Sequence, residues 1–139
     1  YEGEISGGRT DRSHLISSGL DILPTICDYA GIEKPTHLLG DSLRRLANGE
    51  QVDQWRSYVV SENGWFRMVR SSKFKYSVAR AADGQECLID MDNDCGEMQN
   101  LVQDPLFHNE LVAHRRLLAE WIEISGDQES ANYTRDDNI

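Results

Sequence analysis

The chain has 139 residues, of which 39% are hydrophobic and 27% charged, the composition of an ordinary globular protein with room for a domain core. Its formal net charge of -10 at pH 7 argues against nucleic acid or an anionic membrane surface as a general partner, because both are themselves negative. The sequence contains no apolar run long enough to cross a bilayer, so no membrane partner is expected.

The amino-terminal part predicts a loop followed by two helices. Residues 1–18 are rich in Gly, Ser and charge, which favours a loop. The first helix is predicted to begin near Asp21, which can cap it, with Pro24 in the first turn and Gly31 in the closing left-handed position. Its predicted buried stripe consists of Ile22, Ile26 and Ala30. A short second helix is predicted over residues 43–47.

From Ser57 the hydrophobic period changes to two, which predicts strands. Short connections between them favour an antiparallel sheet with one face covered. The predicted strands are Tyr58–Glu62, Trp65–Arg70, Phe74–Val78 and Glu86–Asp90, separated by the turn signals Asn63-Gly64, Ser71-Ser72 and Asp83-Gly84. Phe74, Tyr76 and Val78 are predicted to share one face.

A long last helix is predicted to cover this sheet. Asp104-Pro105 is a cap followed by proline at the first helical position, and Gly126 can end the helix. Its predicted apolar side consists of Phe107, Leu111, Leu117, Leu118, Trp121 and Ile122. The predicted fold class is therefore α+β, a four-stranded antiparallel sheet packed against a long carboxyl-terminal helix. The polar residues 127–139 are expected to form a disordered tail.

Four segments, in this order along the chain, carry a family pattern. Gly19 to Ile32 contains Asp-x-x-Pro-Thr and ends in Ala-Gly; Gly40 to Leu46 is similar to Gly-x-Ser-Leu-x-Pro-Leu, with Arg45 in place of the proline; Arg67 to Tyr76 forms a basic hairpin. The fourth segment matches Leu-x-Asp and then Asp-x-x-Glu-x-x-Asn-Leu at Leu88, Asp90, Asp94, Glu97, Asn100 and Leu101, with Ile89 and Cys95 in place of the usual tyrosine and proline. Together they resemble the carboxyl-terminal portion of sulfatases, arylsulfatase-like members of the alkaline phosphatase superfamily.

The resemblance implies a division of the chain and a function for the whole enzyme. Residues 1–50 would be the end of the α/β catalytic domain, 51–126 the sulfatase carboxyl-terminal subdomain and 127–139 the tail. The full-length enzyme would hydrolyse sulfate esters of a small molecule or a polysaccharide with calcium and formylglycine, in the periplasm or outside the cell. The missing amino-terminal catalytic domain would be the main partner, and a homo-oligomer is left open.

The reaction centre itself is not expected in these residues. The family's nucleophile lies in a motif of Cys or Ser, any residue, Pro or Ala, any residue and Arg, and none of Cys27, Cys87 or Cys95 begins that pattern. The sequence Asp90-x-Asp92-x-Asp94 does not continue as a calcium loop, because Cys95 and Leu101 stand where Gly and Glu are needed. We therefore expect no catalytic residue, no metal ligand and no cofactor in the chain, and expect it to be inactive alone.

Two features are candidate substrate contacts. The tip of the first hairpin places an aromatic side chain beside an amide, and by analogy with sulfatases the candidate rim residues are Glu62, Asn63, Trp65 and Arg67. The candidate basic stripe consists of Arg70, Lys73 and Lys75. Between Phe66 and Ala82 there are five cations and no acid, which can hold a sulfated substrate or simply keep a strand face solvated.

Two alternative functions are open at this stage. Phosphonate or phosphate monoester hydrolases share the broader fold and carry related tails, and their nucleophile and metal set would distinguish them. A free-standing binding or dimerisation module derived from a sulfatase is the other alternative, and a stable dimer would favour it.

Overall fold

The computed structural model describes residues 5, 7–8, 10–79 and 84–127. The chain divides into two compact units, Tyr1–Ser57 and Tyr58–Ile139. The predicted tail beyond Asp127, and Asp83 of the last predicted turn, lie outside the described residues. The assignment of residues 1–50 and 51–126 to two sulfatase domains stays a prediction.

The first unit contains helix α1, Ser18–Ala30, and the short helix α2, Arg44–Ala47. The predicted start of α1 was wrong, because Ser17 is the N-cap and Asp21 lies inside the helix. Asp21 is therefore not the N-cap of α1. Its carboxylate oxygen Oδ2 accepts a hydrogen bond from the backbone N–H of Ser17 at 2.7 Å. Pro24 consequently lies in the helix interior and not in the first turn.

The predicted buried stripe of α1 was also wrong. The side chains of Ile22 and Ile26 are 53% and 56% exposed, and Ala30 is exposed as well. The buried residues of α1 are Asp21, Pro24 and Cys27. The face that packs inside the first unit is thus partly polar, and the apolar face points to solvent.

A buried ion pair explains the polar packing of α1. Asp21 is 0% exposed, and its carboxylate accepts two hydrogen bonds from the guanidinium of Arg56, at 2.6 and 3.0 Å. It also accepts the N–H of Asp41 at 3.0 Å. Buried charges persist where they are paired and hydrogen-bonded in this way. Asp21 therefore ties the start of α1 to two segments far along the sequence.

Gly40 packs against the turn of α1 in which Pro24 leaves a backbone carbonyl without its helical hydrogen bond. Pro24 has no N–H to donate to the carbonyl of Leu20, one turn earlier. Gly40 packs against that carbonyl so closely that an added Cβ would lie 2.0 Å from the Leu20 oxygen. The Leu43 N–H then donates to the hydroxyl of Thr25 at 2.9 Å. The Asp-x-x-Pro-Thr and Gly-x-Ser-Leu segments are thus the two sides of one contact.

The second unit contains the predicted four-stranded antiparallel sheet, with strand order β1-β2-β3-β4. The strands are β1 Tyr58–Glu62, β2 Phe66–Ser71, β3 Phe74–Ala79 and β4 Glu86–Asp90. Phe74, Tyr76 and Val78 share one buried face, as predicted. The α+β fold class is therefore confirmed.

The buried face of the sheet packs against the last helix. A 3₁₀ turn, Pro105–Phe107, leads into α3, His108–Ser125, and Asp104 accepts the N–H of Leu106 at 2.9 Å as the predicted cap. Gly126 closes the helix with a φ of 67°. Leu111 and Leu118 of α3 enter the core, with Phe107, Leu117, Trp121 and Ile122 packed around it. Among the described residues no helix combines the length and apolar character that a bilayer crossing requires.

A hydrogen-bonded network of polar side chains connects α3 to the sheet, and it was not predicted from the sequence. Glu86 accepts the hydroxyl of Tyr76 at 2.6 Å and two hydrogen bonds from Arg115, at 2.6 and 2.8 Å. Burial, followed by the bond to Glu86, raises the pKa of Tyr76. These three side chains connect β3, β4 and α3 within the core.

Candidate functional site

The tip of the β1–β2 hairpin is a hydrogen-bonded turn that presents aromatic side chains. The side-chain oxygen of Asn63 accepts the N–H groups of Trp65 and Phe66 at 2.8 and 2.9 Å, which is the local bonding that favours Asn in turns. Trp65 is 74% exposed and Phe66 51% exposed. Trp65 is therefore not part of the core of the second unit, and it is free to contact a ligand.

Glu62 and Arg67, the other two candidate rim residues, lie directly opposite each other on the two strands. Their side chains form an ion pair with Nε and Oε2 3.1 Å apart. The guanidinium of Arg67 also reaches Asp127 at 3.0 Å and the carbonyl of Asn63 at 2.6 Å. Arg67 is only 8% exposed, so the structure places it below the turn while Trp65 projects from it. A substrate role for the four residues stays a prediction.

The strand register places the predicted basic residues on different faces of the sheet. Arg70 and Lys75 are cross-strand partners, whereas Arg67 pairs with Val78 on the buried face. Arg70 donates to the carbonyl of Ser71, Lys73 lies 3.5 Å from Asp90, and Lys75 pairs with Glu97. Each cation of the stripe therefore has a local acceptor, and its binding of a sulfated substrate stays a prediction. Arg80 lies outside the described residues.

The acidic turn after β4 uses its carboxylates to hold backbone. Asp90 accepts hydrogen bonds from the N–H groups of Asp92 and Asn93 at 3.0 and 3.3 Å. Burial opposes ionisation of Asp90, but hydrogen bonds from Asn93 and Asp92 outweigh it, so its pKa is lowered. Asp94 accepts the N–H of Gln99 at 2.8 Å, and hydrogen bonds from the backbone of Gln99 and then Met98 lower its pKa.

Asn100 of the same segment closes the sheet edge. Its side-chain oxygen accepts the N–H of Leu88 at 3.1 Å, and its side-chain nitrogen donates to the carbonyl of Glu86 at 3.0 Å. The next residue, Leu101, donates to the carbonyl of Leu88 at 2.8 Å and is buried. Asp90, Asp94 and Asn100 of the pattern thus hold the backbone of this segment through their side chains.

Sequence reasoning missed one cluster in the first unit. Nδ1 of His14 lies 2.6 Å from Oδ2 of Asp11, and neither residue was among the predicted site residues. The three-residue spacing of Asp11 and His14 was the available signal. Within the described residues, no group of three or more His, Cys, Asp or Glu side chains is placed to hold a metal ion.

The sequence comparisons match this chain to sulfatases. Residues 1–122 match the family described as N-sulphoglucosamine sulphohydrolase, C-terminal. Over 125 residues the chain is 40% identical to a Delta 4,5-hexuronate-2-O-sulfatase from Bacteroides thetaiotaomicron, covering 82% of this chain and 25% of that protein.

Solved structures agree with this match. A 2-O GAG sulfatase superposes with a TM-score of 0.82 at 35% identity, covering 92% of this chain and 29% of the other. A phosphonate monoester hydrolase from Silicibacter pomeroyi superposes with a TM-score of 0.65 at 25% identity, covering 80% of this chain and 26% of the other. The chain therefore spans about a quarter of the length of its relatives.

Proposed function

Because the chain belongs to the family described as N-sulphoglucosamine sulphohydrolase, C-terminal, we propose that it is the carboxyl-terminal part of a full-length enzyme that hydrolyses a sulfate ester of a sugar. The observation that carries the proposal is the 40% identity to a Delta 4,5-hexuronate-2-O-sulfatase. The proposed substrate is accordingly an unsaturated hexuronate that bears a 2-O-sulfate.

The reaction centre is proposed to lie in the rest of the enzyme. None of the three cysteines begins a formylglycine motif, and the described residues contain no cluster of side chains fit to hold calcium. We propose that formylglycine and calcium, which would supply the nucleophile and its activation, belong to the catalytic domain of that enzyme. The chain alone is expected to be inactive.

The exposed apolar face of α1 supports a partner within the same enzyme. Ile22, Leu23 and Ile26 are 53%, 49% and 56% exposed, at helical spacings that place them on one face. A contiguous exposed apolar face marks an interaction surface. The proposed occupant is the amino-terminal catalytic domain, since relatives contain about three times as much additional chain as this segment.

The hairpin tip is proposed to form part of the substrate rim. Trp65 projects from a turn fixed by Asn63, and the ion pair of Glu62 with Arg67 braces the strands beneath it. An exposed indole on a hydrogen-bonded turn offers a flat apolar surface to a sugar ring at low cost in side-chain entropy.

The two alternatives have less support. Identity to the phosphonate monoester hydrolase is 25%, against 40% in the sequence match to the hexuronate sulfatase and 35% in the superposition on the 2-O GAG sulfatase. A free-standing dimerisation module would also cover the apolar face of α1, with a second copy of the chain. Light scattering separates these cases, since the enzyme proposal expects no specific dimer that buries α1.

The docking proposal is tested with matched substitutions in the full-length protein. Ile26→Glu places a charge on the proposed interface, and Ile124→Glu places one on α3 at nearly equal exposure, 54% against 56%. Ile26→Glu is expected to lower the melting temperature and the yield of folded enzyme, whereas Ile124→Glu leaves both nearly unchanged. Equal behaviour of the two variants would contradict docking through α1.

The enzyme proposal itself is tested by reading the DNA upstream of the Tyr1 codon. A continuous frame of several hundred codons that contains the formylglycine motif is expected. A start codon within a few residues of Tyr1 would overturn the proposal in favour of the module.

A further inference from the structure

The chain contains two Asn-Gly dipeptides, Asn48-Gly49 after α2 and Asn63-Gly64 at the tip of the β1–β2 hairpin. Asparagine amides are thermally labile, and in such a pair the next backbone nitrogen can attack the amide carbon unhindered, because glycine has no Cβ. In an unfolded chain the two dipeptides have the same local chemistry. Any difference between them in the folded protein therefore comes from the surroundings of each asparagine.

Deamidation of an Asn-Gly pair is a reaction with water. Hydroxide removes the proton from the glycine N–H, and the nitrogen attacks Cγ of the asparagine. The new N–Cγ bond closes a cyclic imide, and the bond from Cγ to Nδ2 breaks, so that Nδ2 takes a proton from water and leaves as ammonia. Water then opens the imide to aspartate or isoaspartate. A neutral side chain is thereby replaced by a carboxylate, which changes the local charge.

At Asn63 the amide carbonyl that would be attacked already has hydrogen-bond donors in place. Oδ1 accepts the N–H groups of Trp65 and Phe66 at 2.8 and 2.9 Å. Negative charge develops on this oxygen when the nitrogen attacks, and N–H groups held against it stabilise the transition state. The ring closed by the Trp65 hydrogen bond includes the Gly64 peptide group, so the attacking nitrogen and Cγ belong to one turn.

The attacking nitrogen of Gly64 is accessible, and its peptide group is polarised. Gly64 is exposed, and an added Cβ would meet nothing within 4 Å. Among the hydrogen bonds of the described residues, none is donated by its N–H. The carbonyl of Asn63, part of the same peptide group, accepts Nη1 of Arg67 at 2.6 Å. Loss of the Gly64 proton places negative charge on that oxygen, where the guanidinium stabilises it.

The carboxylates of Glu62 and Asp127 also pair with Arg67, and they position its guanidinium. Nε lies 3.1 Å from Glu62 and Nη2 lies 3.0 Å from Asp127, while Nη1 is directed at the carbonyl of Asn63 and, at the longer distance of 3.3 Å, at that of Phe66. The side chains of Glu62 and Asp127 are 41% and 26% exposed, so solvent screens their charges. The direct donor therefore has the larger effect on the peptide group.

The Asn48-Gly49 pair has different surroundings. The N–H of Gly49 donates to the carbonyl of Leu46 at 3.0 Å, so the attacking nitrogen is engaged. Gly49 has a φ of 72°, the left-handed conformation that follows α2, and Asn48 is half-buried. Closure of the imide at Asn48 therefore requires this end of the helix to open first.

We propose that Asn63 deamidates spontaneously in the folded full-length enzyme, that Asn48 is protected, and that the new carboxylate at the hairpin tip weakens binding of the anionic sugar substrate. The effect on binding rests on the proposed function and on the place of the hairpin in the substrate rim, whereas the modification itself does not. The rim loses affinity as the enzyme ages, because the new carboxylate and the substrate carry like charges.

The modification is tested by ageing the full-length enzyme at mildly alkaline pH in water enriched in heavy oxygen, folded and in parallel in urea. Peptide mapping by mass spectrometry reads the isotope incorporated at each asparagine. In urea the two Asn-Gly pairs should react at similar rates. In the folded enzyme Asn63 should react at least as fast as in urea. Asn48 should react more slowly than Asn63, by about 2- to 10-fold for the hydrogen bond of Gly49 alone.

Gly64→Ala is the matched variant for both parts of the inference. The added Cβ has room in the fold, but it crowds the attacking nitrogen and restricts the backbone rotation that ring closure needs. Asn63 should therefore stay unmodified much longer in this variant than in the parent enzyme. KM for an unsaturated hexuronate 2-O-sulfate disaccharide should rise on ageing by about 3- to 10-fold in the fully modified parent, the effect of a screened like charge. Aged Gly64→Ala should keep the KM that it has when fresh.

The outcomes separate failure of this inference from failure of the proposed function. Asn63 that stays intact in the folded enzyme while it reacts in urea overturns the inference, and so does equal reaction at Asn48 and Asn63 in the folded enzyme. Modified enzyme with an unchanged KM overturns the effect on binding. A fresh enzyme that releases no sulfate from the disaccharide overturns the proposed function and the effect on binding, while the mass spectra still decide the modification.

Discussion

Arg56→Met in the first unit tests how far the buried ion pair holds α1 in place. The substitution keeps an unbranched apolar stem but removes both guanidinium hydrogen bonds to Asp21, at 2.6 and 3.0 Å. Asp21 stays fully buried and keeps the N–H donors of Ser17 and Asp41. Removal of one partner of a buried pair costs about 3–5 kcal/mol, and the two remaining donors place the expected loss near about 3 kcal/mol.

The assay is native-state hydrogen exchange of peptides from residues 17–30, read by mass spectrometry. A loss of about 3 kcal/mol corresponds to exchange faster by roughly two orders of magnitude. Arg45→Met is the matched control, because Arg45 pairs with Glu50 at 3.0 Å with side chains 61% and 49% exposed. An exposed pair contributes about 0–1 kcal/mol, so the control should exchange almost like the parent.

A double substitution isolates the charge. Asp21→Asn combined with Arg56→Met removes both charges while keeping an amide acceptor, so it should be less destabilising than the sum of the two single changes. Equal exchange in Arg56→Met and Arg45→Met would refute the reasoning. Strict additivity in the double variant would also refute it, because the two side chains would then not be coupled.

Three further predictions concern the second unit. Asn100→Ala should lower the free energy of unfolding by about 1–3 kcal/mol in urea titrations, because the N–H of Leu88 loses its acceptor; an unchanged midpoint would contradict this. The lowered pKa of Asp94 means that its bond to Gln99 contributes stability above the ordinary value of 3.8, lost as pH falls through the folded pKa. Asp94→Asn should therefore flatten the acid limb of a melting-temperature profile, and a parallel limb would count against it. Trp65→Ala, at an exposed site, should leave stability within about 0.5 kcal/mol yet raise KM of the full-length enzyme by up to about tenfold, more than it lowers kcat. Unchanged kinetics would remove Trp65 from the rim.

The sheet was readable from sequence because its signals are local. Alternation along Phe74, Tyr76 and Val78 specifies which face is buried, and Asn63-Gly64 specifies the turn. The helix cap at Asp104 and the helix end at Gly126 are likewise determined by residues a few positions apart. Such features need no knowledge of distant partners.

Helix α1 was misread because its partners are distant in sequence. Asp21 looked like a cap, but Arg56 and the N–H of Asp41 draw its carboxylate into the interior. Ile22 and Ile26 looked like a core stripe, but within the first unit nothing covers them among the described residues. Periodicity tells that a face is apolar; it does not tell which molecule or domain covers it.

The candidate sites show the same limit. Sequence identified Trp65 as a residue of a turn, but its exposure of 74% depends on the packing of the hairpin. Arg67 looked like part of a basic surface, and the register turned it to the buried face, where it meets Glu62 and Asp127. The proximity of His14 and Trp55 joins residues about forty positions apart, so no local motif could announce it.

The most direct test of the account is release of inorganic sulfate by the full-length protein, measured by ion chromatography with an unsaturated hexuronate 2-O-sulfate disaccharide and, in parallel, with phenyl phosphonate monoester. The account predicts sulfate release by the full-length protein and none by residues 1–139 alone. Hydrolysis of the phosphonate ester without sulfate release would contradict the central claim and assign the chain to the neighbouring hydrolases.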